Sequence, residues 1–255
     1  MKPYQKEFAE LLAKTGAIFF REGLILKDGR PTPYFVNMGG FNDGNLSYQL
    51  GLFYANIIKE KFFDKGKNID IISGPSYKAS AIAQATAIAL QLEFGITVGF
   101  NYDRKEAKTH GEASKVKKLW VGKEFFDGCN WIIVDDVGTT MRTKVEHIEK
   151  VRFTEKQLGI KTNLVGVVIG VDREQVDAGK GKEDAILKFM KEYGVPVYAG
   201  IGITETVNYL FENEVKGPDG TRVVDEEAME EFRKYMKTYG VDLQARAAAI
   251  EELLN

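Results

Sequence analysis

A strand of the buried type ends in two adjacent carboxylates, Asp135 and Asp136, and opens into a turn that leads to a helix. The turn carries the hydroxyl groups of Thr139, Thr140 and Thr143. Paired carboxylates at a strand end can accept hydrogen bonds from the vicinal hydroxyls of a ribose, and the amides and hydroxyls at a helix N-terminus can bind a phosphate. The pattern therefore suits a ribose 5-phosphate, although acid pairs at strand ends also serve only to cap turns.

A second segment with chemical potential, 73–79, follows another strand and reads Ser-Gly-Pro-Ser-Tyr-Lys-Ala. Gly74 permits an unusual backbone turn that exposes amide groups, and Lys78 brings a positive charge that suits a diphosphate. A glycine-proline turn beside a solvated lysine is also an ordinary surface feature. This segment indicates an anion site only together with its neighbours.

Residues 103–123 are highly charged, with ten charged side chains and little apolar periodicity. Arg104, Lys105, Lys108 and His110 lie close together within this stretch. Loops of this length inside compact domains are usually functional or disordered, so we predict a long mobile loop that could bring cations to an anionic substrate. The alternative is a charge run that only contacts solvent.

The elements that must position these segments follow an alternating pattern. Helices are predicted at 4–15, from about 46, and at 78–92, 225–239 and 242–254, and strands at 18–26, 34–38, 70–73, 97–101, 131–135, 163–171 and 196–203. Alternating strands and helices predict an α/β fold, with a mainly parallel twisted sheet flanked by helices on both faces. Such a sheet binds its ligands at the carboxyl ends of its strands, where the segments above lie.

The whole chain, 1–255, has the length of one large domain and shows no internal repeat. We divide it into an N-terminal hood at 1–45, an α/β core at 46–211 with the mobile loop 103–123, and a C-terminal extension at 212–255 of unassigned function. The formal net charge of -2 argues against nucleic-acid binding, because proteins that bind polyanions usually carry a basic excess.

The cysteine content and the absence of long apolar runs indicate a cytoplasmic protein. Cys129 is the single cysteine, so no internal disulfide can form, and the N-terminus shows no apolar signal stretch. No apolar run approaches the roughly 20 residues that span a bilayer. Cys129 opens a buried strand and is expected to be a small core residue, and His147, in a predicted helix, is expected to be structural or exposed.

These segments resemble the motifs of one enzyme family, in the family's order. Segment 131–143 resembles the motif with which type I phosphoribosyltransferases bind 5-phosphoribosyl-1-diphosphate (PRPP), and 73–79 resembles their pyrophosphate loop. The order Arg-Lys-Glu-x-Lys-x-His-Gly at 104–111 is very similar to a loop of orotate phosphoribosyltransferases. Segments 26–37 and 171–174 resemble the orotate-binding segments. The resemblance implies a type I phosphoribosyltransferase fold with a smaller N-terminal hood subdomain and a helical C-terminal extension.

The resemblance implies an enzyme of pyrimidine (UMP) biosynthesis that joins orotate to PRPP and yields orotidine 5'-monophosphate and pyrophosphate. It assigns PRPP binding to Lys27, Tyr77, Lys78, Arg104, Lys105, Lys108, His110, Asp135, Asp136, Thr139, Thr140 and Thr143. Those with a catalytic role are Lys78, Lys108, His110, Asp135 and Asp136. It places Phe35 on the orotate ring and gives the orotate carboxylate to Arg173, by a bidentate contact.

The same resemblance implies the cofactor and the partners. Mg²⁺ is expected to arrive with PRPP and to take no ligand from protein side chains, since it prefers phosphate and hydroxyl oxygens. The subunits are expected to form a homodimer in which the loop 103–123 closes over the active site of the neighbouring subunit. Apart from PRPP and orotate, no partner is indicated, neither nucleic acid nor membrane.

The sequence departs from the family pattern in the phosphate turn, where Met141 and Arg142 stand in place of one or two glycines. We expect their side chains to crowd the 5'-phosphate or to force a different turn, with Arg142 adding a charge. Val36 replaces a second aromatic residue, which predicts weaker stacking on the base. Two other functions stay open: transfer to a purine or uracil, which offers Arg173 no carboxylate, and a regulator that senses PRPP without turnover.

Overall fold

The computed structural model describes residues 1–26, 28–104, 119–138, 140–177 and 183–254. Its helices are α1 (Pro3–Lys14), α2 (Gly44–Lys61), α3 (Lys78–Phe94), α4 (Arg142–Leu158), α5 (Ala185–Tyr193), α6 (Ile203–Glu212), α7 (Glu226–Tyr239) and α8 (Leu243–Leu254). Its strands are β1 (Ile18–Ile25), β2 (Pro31–Val36), β3 (Ile71–Gly74), β4 (Gly99–Asp103), β5 (Trp120–Gly122), β6 (Asn130–Gly138), β7 (Asn163–Asp172), β8 (Val176–Asp177), β9 (Glu183–Asp184) and β10 (Val197–Gly202). Across these ranges, no helix is both long and apolar enough to cross a membrane.

The main sheet, as far as the structure describes it, has the strand order β10-β7-β6-β3-β4-β5 and is parallel except for β5. Residues 131–134 of β6 and 164–171 of β7 carry no polar side chain in the body of the sheet, as expected for strands covered by helices on both faces. Ile132 and Val134 pack in a core with α2 and α3, whereas Trp131 and Ile133 pack in a second core with α4 and α5. Cys129 is buried in this second core, as expected. The predicted α/β fold is confirmed.

The carboxyl ends of the parallel strands meet at one edge of the sheet, which we call the carboxyl edge. Strands β6 and β7 end side by side, with Gly138 paired to Asp172, and β10 ends beside them at Gly202. Strand β3 ends at Gly74, next to Tyr102 of β4. The segments that carry the predicted chemistry therefore lie along this single edge.

The structure differs from the sequence prediction at both ends of the charged segment 103–123. The prediction of a loop over 103–123 is wrong at both ends, because Asp103 is the last residue of β4 and residues 120–122 form the antiparallel strand β5. Trp120 anchors this strand, since its indole Nε1 donates to Thr154 Oγ1 at 2.8 Å. One tryptophan in a charge-rich run creates no periodicity, so the sequence pattern gave no sign of the strand. Residues 105–118 lie outside the described ranges.

The hood is the antiparallel hairpin of β1 and β2. Helix α1 does not belong to it, because Phe8 stacks on Phe53 of α2 with 3.6 Å between ring centroids, which places α1 in the main core. Helix α7 of the C-terminal extension packs on the hairpin, where Phe232 meets the Tyr34 ring edge-on at 5.6 Å between centroids. The extension therefore lies against the hood.

Helices α2 and α3 approach each other closely at Gly51, where a Cβ atom would lie 2.4 Å from the Ala85 carbonyl oxygen. Gly51→Ala should force the two backbones apart and lower the free energy of unfolding by about 1 to 3 kcal/mol, the usual cost of overpacking. Gly44→Ala, in the same helix with open space around it, should not destabilise the protein. Denaturant unfolding of both variants checks this expectation, and equal stability would show that α2 and α3 tolerate the added carbon.

Candidate active site

Asp135, near the end of β6, is buried and held by groups close to it in the chain. One carboxylate oxygen accepts a hydrogen bond from the Asp136 amide at 2.9 Å, and the other accepts one from the Thr143 hydroxyl at 3.0 Å. The ammonium group of Lys144, itself buried, forms an ion pair with the second oxygen and donates to the Val137 carbonyl at 3.0 Å. Burial alone raises the pKa of Asp135, but Lys144 and the hydrogen bonds outweigh it and hold the pKa below its usual value.

Asp136 is the acid of the pair that faces the open side of the carboxyl edge. Its side chain is 18% exposed, and the Lys78 ammonium lies 3.5 Å from its carboxylate. Lys78 also donates to the side-chain oxygen of Asn37 at 3.3 Å, so this lysine links the segment after β2 to the edge. Burial and the charge of Asp135 raise the pKa of Asp136. The pKa values of the two neighbouring acids are therefore shifted in opposite directions.

Neither unusual residue of the phosphate turn points its side chain into the turn. Met141 is buried in the second core, and Arg142 extends into solvent, where it pairs with Glu146 at 2.9 Å. The expected crowding is therefore absent from the described residues. Met141 does adopt the left-handed conformation, with a φ of 57°, which favours glycine, so the expected unusual turn is present. Thr140 is exposed here, and Thr139 lies outside the described ranges.

A buried polar network supports the loop 73–79 from below. The carboxylate of Asp103, at the end of β4, accepts a hydrogen bond from the Ser76 amide at 2.7 Å and pairs with Lys150 of α4. Burial by itself raises the pKa of Asp103, but His147, Lys150 and the Ser76 amide together lower it. This carboxylate therefore stays charged and fixes the position of the loop backbone.

His147 belongs to the same network and is almost fully buried. Its Nε2 lies 2.7 Å from Ser73 Oγ, and its Nδ1 lies 3.6 Å from the Asp103 carboxylate. Serine, histidine and aspartate in this order resemble a nucleophile triad, but Ser73 is fully buried and its hydroxyl donates to Asn101. Burial lowers the pKa of His147 by more than Asp103 raises it. The expectation of a structural His147 is confirmed.

Arg173 follows the last residue of β7 and is 3% exposed. Its guanidinium donates to Thr32 Oγ1 at 3.1 Å and lies 4.3 Å from the centroid of the Tyr34 ring. Among the residues that the structure describes, the Arg173 Nε atom has no hydrogen-bond partner. No carboxylate oxygen of these residues lies within 4.0 Å of the guanidinium nitrogens. An unpaired buried charge is costly, and this is the environment expected where an anionic ligand supplies the missing partner.

Phe35, the other residue predicted to contact the base, lies on a different face of β2 from Arg173. Arg173 contacts the face that carries Thr32 and Tyr34, whereas the Phe35 ring lies 6.0 Å from that of Phe19 on the opposite face. Val36 is buried in the core on the Tyr34 face. The structure does not bring the two predicted base residues into contact.

The remaining predicted residues are only partly described. Tyr77 holds its ring 64% exposed, next to Lys78 in sequence. The Arg104 amide donates to the Leu119 carbonyl at 2.7 Å, so the residues on either side of 105–118 lie next to each other. The residues outside the described ranges are Lys27, Lys105, Lys108 and His110.

The sequence reasoning missed Lys144 and Asp103 as supports of the site. A signal was present for Lys144, because Lys144, His147 and Val151 follow the spacing of one helix face, and a lysine and a histidine on an apolar face need buried partners. No comparable signal marked Asp103, whose partners lie in other elements. Within the described ranges, no three His, Cys, Asp or Glu side chains are grouped so as to hold a metal ion.

No family model matches the chain, but relatives cover nearly all of it. It is 32% identical over 240 residues to the orotate phosphoribosyltransferase of Clostridium beijerinckii, covering 94% of this chain and 99% of the relative. It is 35% identical over 239 residues to that of Bifidobacterium adolescentis, covering 91% and 96%. The crystal structure of orotate phosphoribosyltransferase from Francisella tularensis matches with a TM-score of 0.71 and 27% identity, covering 92% of this chain and 100% of that one.

The buried pair of Lys144 and Asp135 gives a stability prediction. Lys144→Met should lower the free energy of unfolding by roughly 3 to 5 kcal/mol, because it leaves a buried carboxylate without its counter-charge. The double variant Lys144→Met, Asp135→Asn should lose less than Lys144→Met alone. As a control, Lys14→Met removes an exposed pair with Glu10 and should change little. Denaturant unfolding measures all three, and a Lys144→Met variant as stable as the control would contradict the assignment.

Proposed function

The chain belongs to the orotate phosphoribosyltransferase family, and on this premise we propose how its residues carry out the transfer. The reaction joins orotate to PRPP and yields orotidine 5'-monophosphate and pyrophosphate, a step of pyrimidine biosynthesis. The bond from ribose C1' to the pyrophosphate oxygen breaks as orotate N1 attacks C1', so that pyrophosphate leaves with the electron pair and N1 loses its proton. No covalent intermediate with the enzyme is needed, so catalysis rests on alignment of the substrates and on stabilisation of charge.

The observation that carries the choice of base is the buried guanidinium of Arg173. A carboxylate of orotate would supply the counter-charge that the described residues do not provide. Thr32 and the Tyr34 ring already fix the position of the guanidinium, so the Arg173 side chain would lose little conformational freedom when a ligand binds. A purine or uracil carries no carboxylate and would leave the buried charge unpaired. This argument supports orotate over other nucleobases.

The ribose of PRPP is proposed to bind mainly to Asp136. Asp135 already accepts three hydrogen bonds from its own chain, which leaves about one of its roughly four acceptor positions for a ligand. Asp136 accepts one backbone hydrogen bond, from the Val137 amide, and faces the open side of the edge, so it has more acceptor positions left for the ribose hydroxyls. The amides of the phosphate turn, with Thr139 and Thr140, would hold the 5'-phosphate, while the Thr143 hydroxyl is used by Asp135.

The departing pyrophosphate is proposed to be neutralised by cations from two loops. Lys78 stands at the carboxyl edge, and Arg104 opens the charged loop. Lys105, Lys108 and His110 of that loop are proposed to add further charge, with Lys108 the most rate-determining side chain. Mg²⁺, entering with PRPP, would neutralise part of the negative charge of the diphosphate. The Asp103 network would hold the Ser76 backbone in place during this step.

We also propose that the enzyme works as a homodimer in the cytoplasm. The outward face of α3 supports a partner surface, because Ile88 and Leu92, one turn apart, are 46% and 67% exposed. Lys78, the first residue of α3, lies at the carboxyl edge, so a subunit seated along this helix would extend toward the proposed active site. The charged loop would then reach the neighbouring site, as the family resemblance implies.

Arg173→Ala tests the base assignment in an assay with orotate, PRPP and Mg²⁺ that follows the loss of orotate absorbance. We expect the KM for orotate to rise about 100-fold, since removing one partner of a buried charge pair costs about 3 kcal/mol. The KM for PRPP should change only a few-fold. Arg222→Ala removes an arginine of the C-terminal extension that pairs with Glu214 and Glu226, and it should leave both constants near their original values.

Two outcomes of this assay would overturn parts of the proposal. Equal losses for orotate and PRPP in Arg173→Ala would remove Arg173 from the base site. Binding of PRPP by the unaltered protein, without turnover of orotate, would favour the regulator that senses PRPP.

The shared active site can be tested by mixing two inactive variants. In a dimer with exchanged loops, Lys108→Ala and Asp136→Asn affect different subunits of any one site, so a hybrid dimer contains one intact site. Random exchange should leave about a quarter of all sites intact, and activity should rise well above that of either variant alone. No recovery, with exchange confirmed by labelled subunits, would show that the loop serves its own chain.

A further inference from the structure

The C-terminal extension contacts the segment around Arg173 more directly than its position in the sequence suggests. Helix α7 packs on β2, and helix α8 lies against α5. Between these contacts lies the turn 172–175, which joins the end of β7 to β8 and contains Arg173. The extension therefore borders the proposed base site, although it follows the α/β core in sequence.

Arg246 of α8 makes the strongest of these contacts and is 7% exposed. Its guanidinium donates to the Asp172 carboxylate at 2.6 Å and to the Asp184 carboxylate at 2.8 Å. Asp172 directly precedes Arg173, and its other carboxylate oxygen accepts a hydrogen bond from the Glu174 amide at 2.8 Å. Arg246 thus holds the acid that shapes the turn on both sides of Arg173.

The charge balance at Asp172 depends on Arg246. The pKa of Asp172 is raised to about 6, chiefly by burial, and the charge of Arg246 keeps it from rising further. Without Arg246, the buried carboxylate of Asp172 and the partly buried carboxylate of Asp184 would lie near each other with no guanidinium between them. The turn would then lose the bridge that fixes Asp172 in place.

A second chain of contacts runs from α7 to the same guanidinium. The Tyr235 hydroxyl donates to Gln175 Oε1 at 3.0 Å, and Gln175 Nε2 donates to the Tyr34 hydroxyl at 2.7 Å. The ring of Tyr34 lies under the guanidinium of Arg173. Each link is buried, so a shift of α7 would move the surface on which Arg173 rests.

The backbone of the extension also pairs with the turn. The Val241 amide donates to the Glu174 carbonyl at 2.9 Å, and Gln175 forms a β-bridge with Gly240. On the opposite side, the Glu174 carboxylate accepts a hydrogen bond from the Thr204 amide at the start of α6 at 2.9 Å. The turn is therefore fixed between the core on one side and the extension on the other.

We propose that Arg246 and Tyr235 of the C-terminal extension are positioning residues for Arg173, so that the extension sets the affinity of the enzyme for the carboxylate of its base substrate. This inference rests on the proposed function for the identity of that substrate. The ribose and phosphate side of the site is not involved, because the extension contacts neither Asp136 nor Lys78 through the hydrogen bonds and ion pairs of the described residues.

Steady-state kinetics of two variants test the inference. Arg246→Gln should raise the KM for orotate about 10-fold or more, since a displacement of about 1 Å in a binding group can cost up to about 100-fold. The KM for PRPP should stay within about 2-fold, because its ligands are held by other elements. Arg246→Lys should give an intermediate value, since an ammonium group cannot bridge the two acids as a guanidinium does.

Tyr235→Phe provides a variant that should fold normally, because it removes only the hydroxyl group that bonds Gln175. Its KM for orotate should rise by a smaller factor in the same direction. Tyr239→Phe and Arg222→Gln are the matched controls, since within the described residues the Tyr239 hydroxyl bonds none of the turn and Arg222 pairs with Glu214 and Glu226. Both controls should keep the original KM for orotate.

Hydrogen exchange of the turn 172–175 separates the inference from the proposed function. Exchange of the Glu174 and Gln175 amides should be faster in Arg246→Gln than in Arg222→Gln. Equal exchange, or equal rises of both KM values, would overturn the inference and leave the extension as a general support of the fold. An unaltered enzyme without orotate turnover would reject the proposed function, and the exchange comparison would still decide whether the extension positions the turn.

Discussion

The structure depends on burying carboxylates at the carboxyl edge without leaving their charges unpaired. Three strands of the sheet end close to a buried aspartate, namely Asp103 on β4, Asp135 on β6 and Asp172 on β7. Each aspartate receives a cation from a helix, Lys150 and Lys144 from α4 and Arg246 from α8. Removing a single partner from such a pair is far costlier than the pair itself is favourable, so each helix must dock in one position for the edge to form.

This pairing divides the charges of the edge into two layers. The buried, paired aspartates form the inner layer and accept hydrogen bonds from backbone amides, Asp103 from Ser76 and Asp135 from Asp136. In the outer layer, Asp136 faces outward beside Lys78, and Arg173 carries a charge with no counter-ion among the described residues. The proposed site therefore offers one acceptor for hydroxyl groups and cations for anionic groups, on a support of buried ion pairs. Such preorganised charge suits a reaction in which negative charge grows on a leaving group.

The hood, the turn 172–175 and the C-terminal extension form one interlocked unit. Tyr34 is its centre, because it contacts Phe232 of α7, bonds Gln175 and lies under Arg173. The first and last parts of the chain therefore meet at the place where the base carboxylate is proposed to bind. This connection is the physical basis of the proposal that helices α7 and α8 position Arg173.

The order of the elements, the parallel sheet and the edge that carries the site followed from the sequence, because periodicity, turn chemistry and motif order are local properties of the chain. Tertiary structure alone decided which acid faces the open side of the carboxyl edge and on which side of β2 each predicted base residue lies. Phe35 and Arg173 share no face, and Arg246 reaches Asp172 across 74 residues of chain. Such pairings depend on how distant elements dock, and burial makes them strong. The local sequence around one partner does not indicate the other.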